Sequence, residues 1–245
     1  MDITFKNVSV LYENKKRDII TAIDDISFSF TSEKINVLVG PSGCGKTSLA
    51  RCLTGEIIYE GEIMYGEKDL EKIETKDRNI SYVNENYTLL PNVNVYDNIA
   101  FPLRLNKVDH DEADQTIKEV TKYLGIDFLL TRKTKYLSLG QISRVKLAKC
   151  FVKDSDLYIF DESNRNLDEE NRNKINRYIK DRLKGKTIIF ITHNISEALS
   201  IADYIYVMNE GKYRGRYTPI EFLESNDEVV QNLLSEIKNE KKKLF

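Results

Sequence analysis

The stretch Gly40-Pro41-Ser42-Gly43-Cys44-Gly45-Lys46-Thr47 constrains this chain more tightly than any other. Two glycines with four residues between them, followed by Lys and a hydroxyl residue, let a loop fold around a triphosphate and turn its N–H groups inward. Lys46 then reaches the β- and γ-phosphates, and Thr47 offers a hydroxyl to Mg²⁺; the candidate nucleoside triphosphate-binding loop runs from Gly40 through Thr47 to Ser48. The flanks fit: Ile35-Asn36-Val37-Leu38-Val39 reads as a short buried strand, and residues 47–53 as a helix ending near Gly55. Strand, loop and helix in that order aim the positive end of a helix at the anion. Cys44 inside the loop reads either as a small side chain that fits or as a thiol of lowered pKa.

Further along, Leu157-Tyr158-Ile159-Phe160 reads as a buried strand ending in the adjacent carboxylates Asp161-Glu162. Open α/β sheets bind ligands at that C-terminal edge. There Asp161 can hold Mg²⁺ through water, and Glu162 can orient and deprotonate the water that attacks a γ-phosphate. The next apolar strand, residues 187–192, delivers His193 to the same edge as a donor to the γ-phosphate. Tyr12 stands at the end of an alternating N-terminal strand, where an aromatic either stacks on a purine or simply packs.

Residues 2–11 and 19–30 alternate apolar and polar side chains and predict antiparallel strands joined by a polar turn. Residues 60–66 read as strand and turn, and 79–83 as another strand. From Leu90 the pattern becomes helical, with Ala113, Ile117, Val120 and Leu124 on one stripe and a second helix from Gln141 to Val152. Beyond Asp161 strands alternate with helices, which predicts a parallel sheet with helices on it. Strands at 204–208 and 212–217 pair around Glu210-Gly211, residues 219–238 form one amphipathic segment, and Lys241-Lys242-Lys243 is a solvated tail.

No apolar run approaches the ~20 residues that cross a bilayer, and Met1-Asp2-Ile3-Thr4-Phe5 is not a secretory signal. With 37 Lys and Arg against 39 Asp and Glu, the net charge of −2 gives no electrostatic case for a nucleic-acid partner. Three cysteines without metal spacing fit a reducing cytosol.

Leu137-Ser138-Leu139-Gly140-Gln141 completes a set of motifs in which the chain resembles the nucleotide-binding subunit of ABC transporters over roughly residues 2–217. The phosphate loop, this signature, the acidic strand, Asn166-Leu167-Asp168 as the D-loop and His193 as the switch histidine follow in the family's order, and Tyr12 matches its base-stacking aromatic. The resemblance implies an α/β fold: a P-loop NTPase (RecA-like) core, an N-terminal antiparallel β subdomain, and a helical subdomain inserted at about 87–153, with residues 220–245 as a C-terminal extension. It implies an ATPase at the cytoplasmic face of the membrane, bound peripherally to integral membrane transporter subunits and working in some systems with a solute-binding protein. It also implies a head-to-tail homodimer or heterodimer, in which Ser138, Gly140, Gln141 and Asp168 of one subunit close over ATP held by the other.

Five positions depart from the family pattern. Glu85 stands where the Q-loop has Gln, keeping an oxygen for Mg²⁺ and a place near the reacting water but adding a charge. Leu139 replaces the first signature glycine, Ser163 the usual Pro, and Arg165-Asn166 the small D-loop residues. The segments 77–80 and 87–103 resemble stand-alone importer subunits, with an export or lipoprotein-release subunit, or the weakened member of a heterodimer, as the alternative reading. The residues after 219 are too few for the regulatory domain carried by many sugar-importer subunits.

Overall fold

The computed structural model describes residues 2–13, 18–84 and 86–242. The turn at 14–17, Glu85 and the tail from Lys243 lie outside the described residues, so the sequence expectations for them are not addressed. The contacts divide the chain into two compact units, one of residues 1–80, 156–161 and 185–245, the other of 81–155 and 162–184. Among the described residues, no helix is long and apolar enough to cross a membrane.

The first unit holds two sheets. Strands β1 (Ile3–Glu13), β2 (Ile19–Phe30), β4 (Glu60–Tyr65) and β5 (Lys68–Asp69) form an antiparallel sheet in the order β2-β1-β4-β5. In the other sheet, β3 (Ile35–Val39), β7 (Leu157–Asp161), β8 (Thr187–Ile191), β9 (Tyr204–Asn209) and β10 (Lys212–Tyr217) run in the order β10-β9-β3-β8-β7. Strands β7, β8, β3 and β9 are mutually parallel and β10 turns back antiparallel. Every residue of β7 and β8 is buried, which is why these strands read as continuous apolar runs instead of alternating ones. Antiparallel β1 keeps the alternation, with Ile3 and Phe5 inside. Aromatic rings join the sheets: Phe28 stacks on Phe5 and on Tyr213 at centroid distances of 4.9 and 4.5 Å, and Phe30 meets Tyr206 edge-on at 4.7 Å. At the β9–β10 turn Glu210 and Gly211 both take positive φ, as a tight two-residue hairpin turn requires. Helices α1 (Lys46–Thr54), α6 (Ile195–Ile201), α7 (Pro219–Glu224) and α8 (Glu228–Lys242) complete this unit. The single amphipathic segment expected over 219–238 is in fact two helices, because Asp227 Oδ1 accepts the Val229 and Val230 N–H groups and starts a new one.

In the second unit, β6 (Ile80–Asn84) leads into helices α2 (Val95–Leu105), α3 (His110–Leu124), α4 (Leu139–Phe151) and α5 (Glu169–Arg182). The apolar stripe of α3 is buried as its spacing requires, and Gly125 ends the helix in the left-handed region. Helix α4 starts two residues before the apolar period suggests, because Ser138 and Gln141 form a capping box. Helix α5 groups with this unit, where Tyr178 stacks on Phe151 at 4.3 Å and meets Tyr123 edge-on at 4.9 Å. At the start of α2 the buried Asn98 accepts from Leu90 N–H at 2.8 Å and donates to the carbonyls of Leu90, Val93 and Asn94. Asn98→Ala takes the acceptor from the partly buried Leu90 N–H, while the Leu90, Val93 and Asn94 carbonyls keep donors from Thr134 and the Asn98 backbone, and is expected to destabilise the protein by about 1–3 kcal/mol in urea unfolding.

Candidate functional site

Strand register assembles the site in the first unit. Leu38 of β3 pairs with Ile191 of β8, and Ile191 with Asp161 of β7, so three parallel strands end level with one another. The loop after β3, the carboxylate closing β7 and the turn after β8 therefore leave from one edge of the sheet. Thr192 N–H reaches back to the Leu38 carbonyl across that edge at 3.4 Å.

The loop itself is closed by its own lysine. Lys46 Nζ donates to the carbonyls of Gly40 at 2.7 Å and Pro41 at 2.9 Å, and the residue is 8% exposed. The glycines earn their places differently. A Cβ on Gly40 would fall 2.0 Å from the Met208 carbonyl oxygen, and one on Gly45, at φ +104°, 2.4 Å from that of Ala22. A Cβ on Gly43, at φ +81°, would meet nothing within 4 Å, because the loop opens there. Pro41, Ser42, Gly43 and Thr47 are exposed around that opening. Burial pushes the Cys44 thiol up in pKa, with Lys46 opposing, so it is a packed thiol and not an activated one.

Helix α1 begins here with Gly45 as its N-cap, no side-chain cap and no acidic residue in its first turn. Among the described residues each of the other α-helices has a capping side chain: Asn94, Asp109, Ser138, Asp168, Asn194, Thr218 and Asp227. The donor set at the opening is thus amide N–H groups, one ammonium and the Thr47 hydroxyl, which suits a phosphate chain. Asp161, 3% exposed, and Thr47 offer the hard oxygen ligands that suit Mg²⁺. Tyr12 is half-buried and its hydroxyl donates to Ser48 Oγ at 3.1 Å, so the ring stands beside the first turn of α1.

His193 is exposed on a turn braced on both sides. Thr192 Oγ1 donates to Glu197 Oε2 at 3.1 Å and accepts the Asn194 N–H, while Asn194 Oδ1 caps α6 through the Glu197 N–H. Neither Thr192 nor Glu197 stood out in the sequence; the Asn-x-x-Glu spacing at 194–197 is the signal that marks them.

The second unit brings the other expected residues together. Ser138 N–H donates to Gln141 Oε1 at 3.0 Å, and Gln141 N–H to Ser138 Oγ at 3.3 Å. A Cβ on Gly140 would lie 3.4 Å from the Asn166 carbonyl oxygen, so the start of α4 touches the loop that follows Glu162. Glu162 takes a left-handed φ of 51°, a conformation that costs a non-glycine residue about 1 kcal/mol or more. Asp168 caps α5, and the Asn171 N–H and side-chain amide it accepts hold its pKa below the usual carboxylate range. A feature outside the expected set is Lys149, whose ammonium lies over the rings of Tyr87 at 5.0 Å and Phe101 at 5.2 Å.

Residues 23–165 match the family model described as ABC transporter. The trehalose/maltose import ATP-binding protein of Thermococcus litoralis is 41% identical over 201 residues, covering 78% of this chain and 54% of its own length. The spermidine/putrescine import ATP-binding protein of Fusobacterium nucleatum is 35% identical over 236 residues, 94% of this chain and 62% of its own. The chain thus spans little more than half the length of these relatives. A solved dimeric bacterial ABC transporter cassette superposes with a TM-score of 0.81 at 21% identity, over 89% of this chain and 98% of that one, and shares the fold.

The two loop glycines separate clash from strain. Gly45→Ala is expected to destabilise the full chain by more than about 3 kcal/mol, since a backbone collision adds to the strain of positive φ. Gly43→Ala carries only the strain, about 1 kcal/mol. Urea unfolding of both variants against the parent checks the ordering.

Proposed function

The chain belongs to the ABC transporter family, and on that premise we propose that it is an ATP-binding and ATP-hydrolysing subunit that drives solute import through integral membrane partners. The observation that carries this reading is the level ending of β3, β8 and β7, which sends the phosphate loop, His193 and Asp161 out from one sheet edge. Lys46 and the uncapped first turn of α1 receive the β- and γ-phosphates, with Ser48 beside them and Tyr12 stacked on the adenine. Thr47 and Asp161, with Glu85, would hold Mg²⁺, which when bound neutralises charge on the phosphate oxygens. Glu162 accepts a proton from the attacking water as that oxygen bonds the γ-phosphorus and the bridging oxygen departs with the β-phosphate. His193, held out by the Thr192–Asn194–Glu197 brace, donates to the γ-phosphate.

The second half of each site comes from another subunit in a head-to-tail dimer. There Ser138, the Gly140 N–H, Gln141 and Asp168 close over the nucleotide. Closing and reopening of this dimer is the motion passed to the membrane subunits, beside which the chain sits peripherally on the cytoplasmic face. Import is the direction because the relatives that cover most of this chain are import ATP-binding proteins, one for trehalose and maltose and another for spermidine and putrescine. A solute-binding protein completes such a complex, and cargo is chosen outside this chain. The presence of Lys46, Asp161, Glu162 and His193 together supports an active member of the dimer over a weakened one.

Glu162→Gln keeps the shape and removes the base. It is expected to lower ATP turnover by about 10²–10⁴-fold while ATP accumulates in a stable dimer seen by light scattering. Turnover equal to the parent's would remove Glu162 from its role; a parent with no ATPase activity, alone or with its membrane subunits, would overturn the whole reading.

A further inference from the structure

The loop between Glu162 and Asp168 is fixed at both ends and presents only its middle. Arg165 N–H donates to the Glu162 carbonyl at 3.3 Å and Leu167 N–H to that of Asn164 at 3.1 Å. Asn164 Nδ2 donates to Asn176 Oδ1 on α5 at 3.3 Å, and Asp168 caps that same helix. Ser163, Asn164 and Leu167 are buried, whereas Arg165 and Asn166 are exposed. Contact between the Asn166 carbonyl and the Gly140 position sets this exposed pair against the start of α4. Arg165 therefore stands, exposed, in the loop that adjoins the start of α4 with Ser138 and Gly140, the residues that the proposed function turns toward the other subunit's nucleotide.

Chemistry makes that placement specific. Guanidinium presents a planar fork of N–H donors that pairs with phosphate oxygens and stays charged at any physiological pH. On the receiving side the phosphate loop contributes Lys46, buried among its own carbonyls, and amide N–H groups. A second cation arriving from across the dimer meets the charge that Lys46 does not reach, and leaves with the partner when the dimer opens.

We propose that Arg165 is a catalytic residue acting in trans, contacting the γ-phosphate of the ATP held by the other subunit. This inference rests on the dimeric ATPase reading. It predicts that Arg165 strengthens ATP-driven dimerisation and speeds turnover while contributing nothing to the nucleotide in its own phosphate loop.

The test uses the full chain carrying Glu162→Gln, so that ATP-bound dimers accumulate. Adding Arg165→Ala is expected to raise the ATP concentration for half-maximal dimer by about tenfold to a hundredfold, the range for hydrogen bonds between charged groups. Arg165→Lys is expected to recover part of that loss, and Arg165→Gln serves for Arg165→Ala should the latter fail to fold. On the otherwise native chain, mixing a minor amount of one subunit with a large excess of a partner carrying Lys46→Ala, so that nearly every minor subunit sits in a mixed dimer, settles which site Arg165 serves. Lys46→Ala subunits mixed with Arg165→Ala subunits keep one loop facing an intact arginine and retain turnover. The Lys46→Ala, Arg165→Ala double variant mixed with parent chain offers its only working loop an alanine and loses turnover at least tenfold. Equal activity of the two mixtures, or a dimerisation midpoint unmoved by Arg165→Ala, overturns the proposal alone. Failure of the Glu162→Gln chain to dimerise with ATP overturns the ATPase reading and this inference with it.

Discussion

Lys46 donates its ammonium to the Gly40 and Pro41 carbonyls, and this buried charge determines how the connection between β3 and α1 is folded. An ammonium out of water needs acceptors close on several sides, so the loop must curl until its carbonyls face the lysine. Once they do, the opposite groups, the N–H groups at the α1 start, face the opening. Glycine is then forced at two points: against β9 at Gly40, and against β2 at Gly45. The antiparallel sheet is therefore part of the loop's mould, since the carbonyl that excludes a side chain at Gly45 belongs to Ala22. The Gly211 N–H on the β9–β10 turn adds a further tie by donating to the Cys44 carbonyl at 3.2 Å.

The legible parts of the chain are those whose physics is local. The phosphate loop is a contiguous stretch, the strand β7 is an apolar run with a carboxylate at its end, and α3 carries its whole stripe within fifteen residues. Pairings distant in sequence were not legible. Nothing about Tyr178 announces that it will stack on Phe151 and draw α5 into the second unit. The bond from the Tyr12 hydroxyl to Ser48 joins two residues picked out for separate reasons, and only the register of β1 against β2 brings the ring to the α1 turn. Capping lies between these extremes. The Ser138–Gln141 box is written in four residues, yet the periodicity of the apolar face pointed to a later helix start.

Substitutions inside the motifs divide by where their side chains go. Ser163 replaces a residue without a donor by one with a hydroxyl, and among the described residues its buried Oγ has no hydrogen-bond partner, a local cost to the fold of this loop. Leu139 is different. It occupies the first turn of α4 with its side chain 69% exposed, so its own chain gains no packing from replacing a glycine there. Helix propensity favours Leu over Gly at such a position by about 0.5–1 kcal/mol, which steadies the start of α4 before any partner arrives. A stiffer helix start holds the Gly140 N–H and the Ser138 hydroxyl in their directions at lower entropic cost on closure. Arg165, exposed on the neighbouring loop, adds charge to the same edge that Leu139 makes more rigid and more apolar. Leu139 therefore acts first on the fold of its own chain, whereas Arg165, exposed, takes its energetic consequence from the proposed dimer.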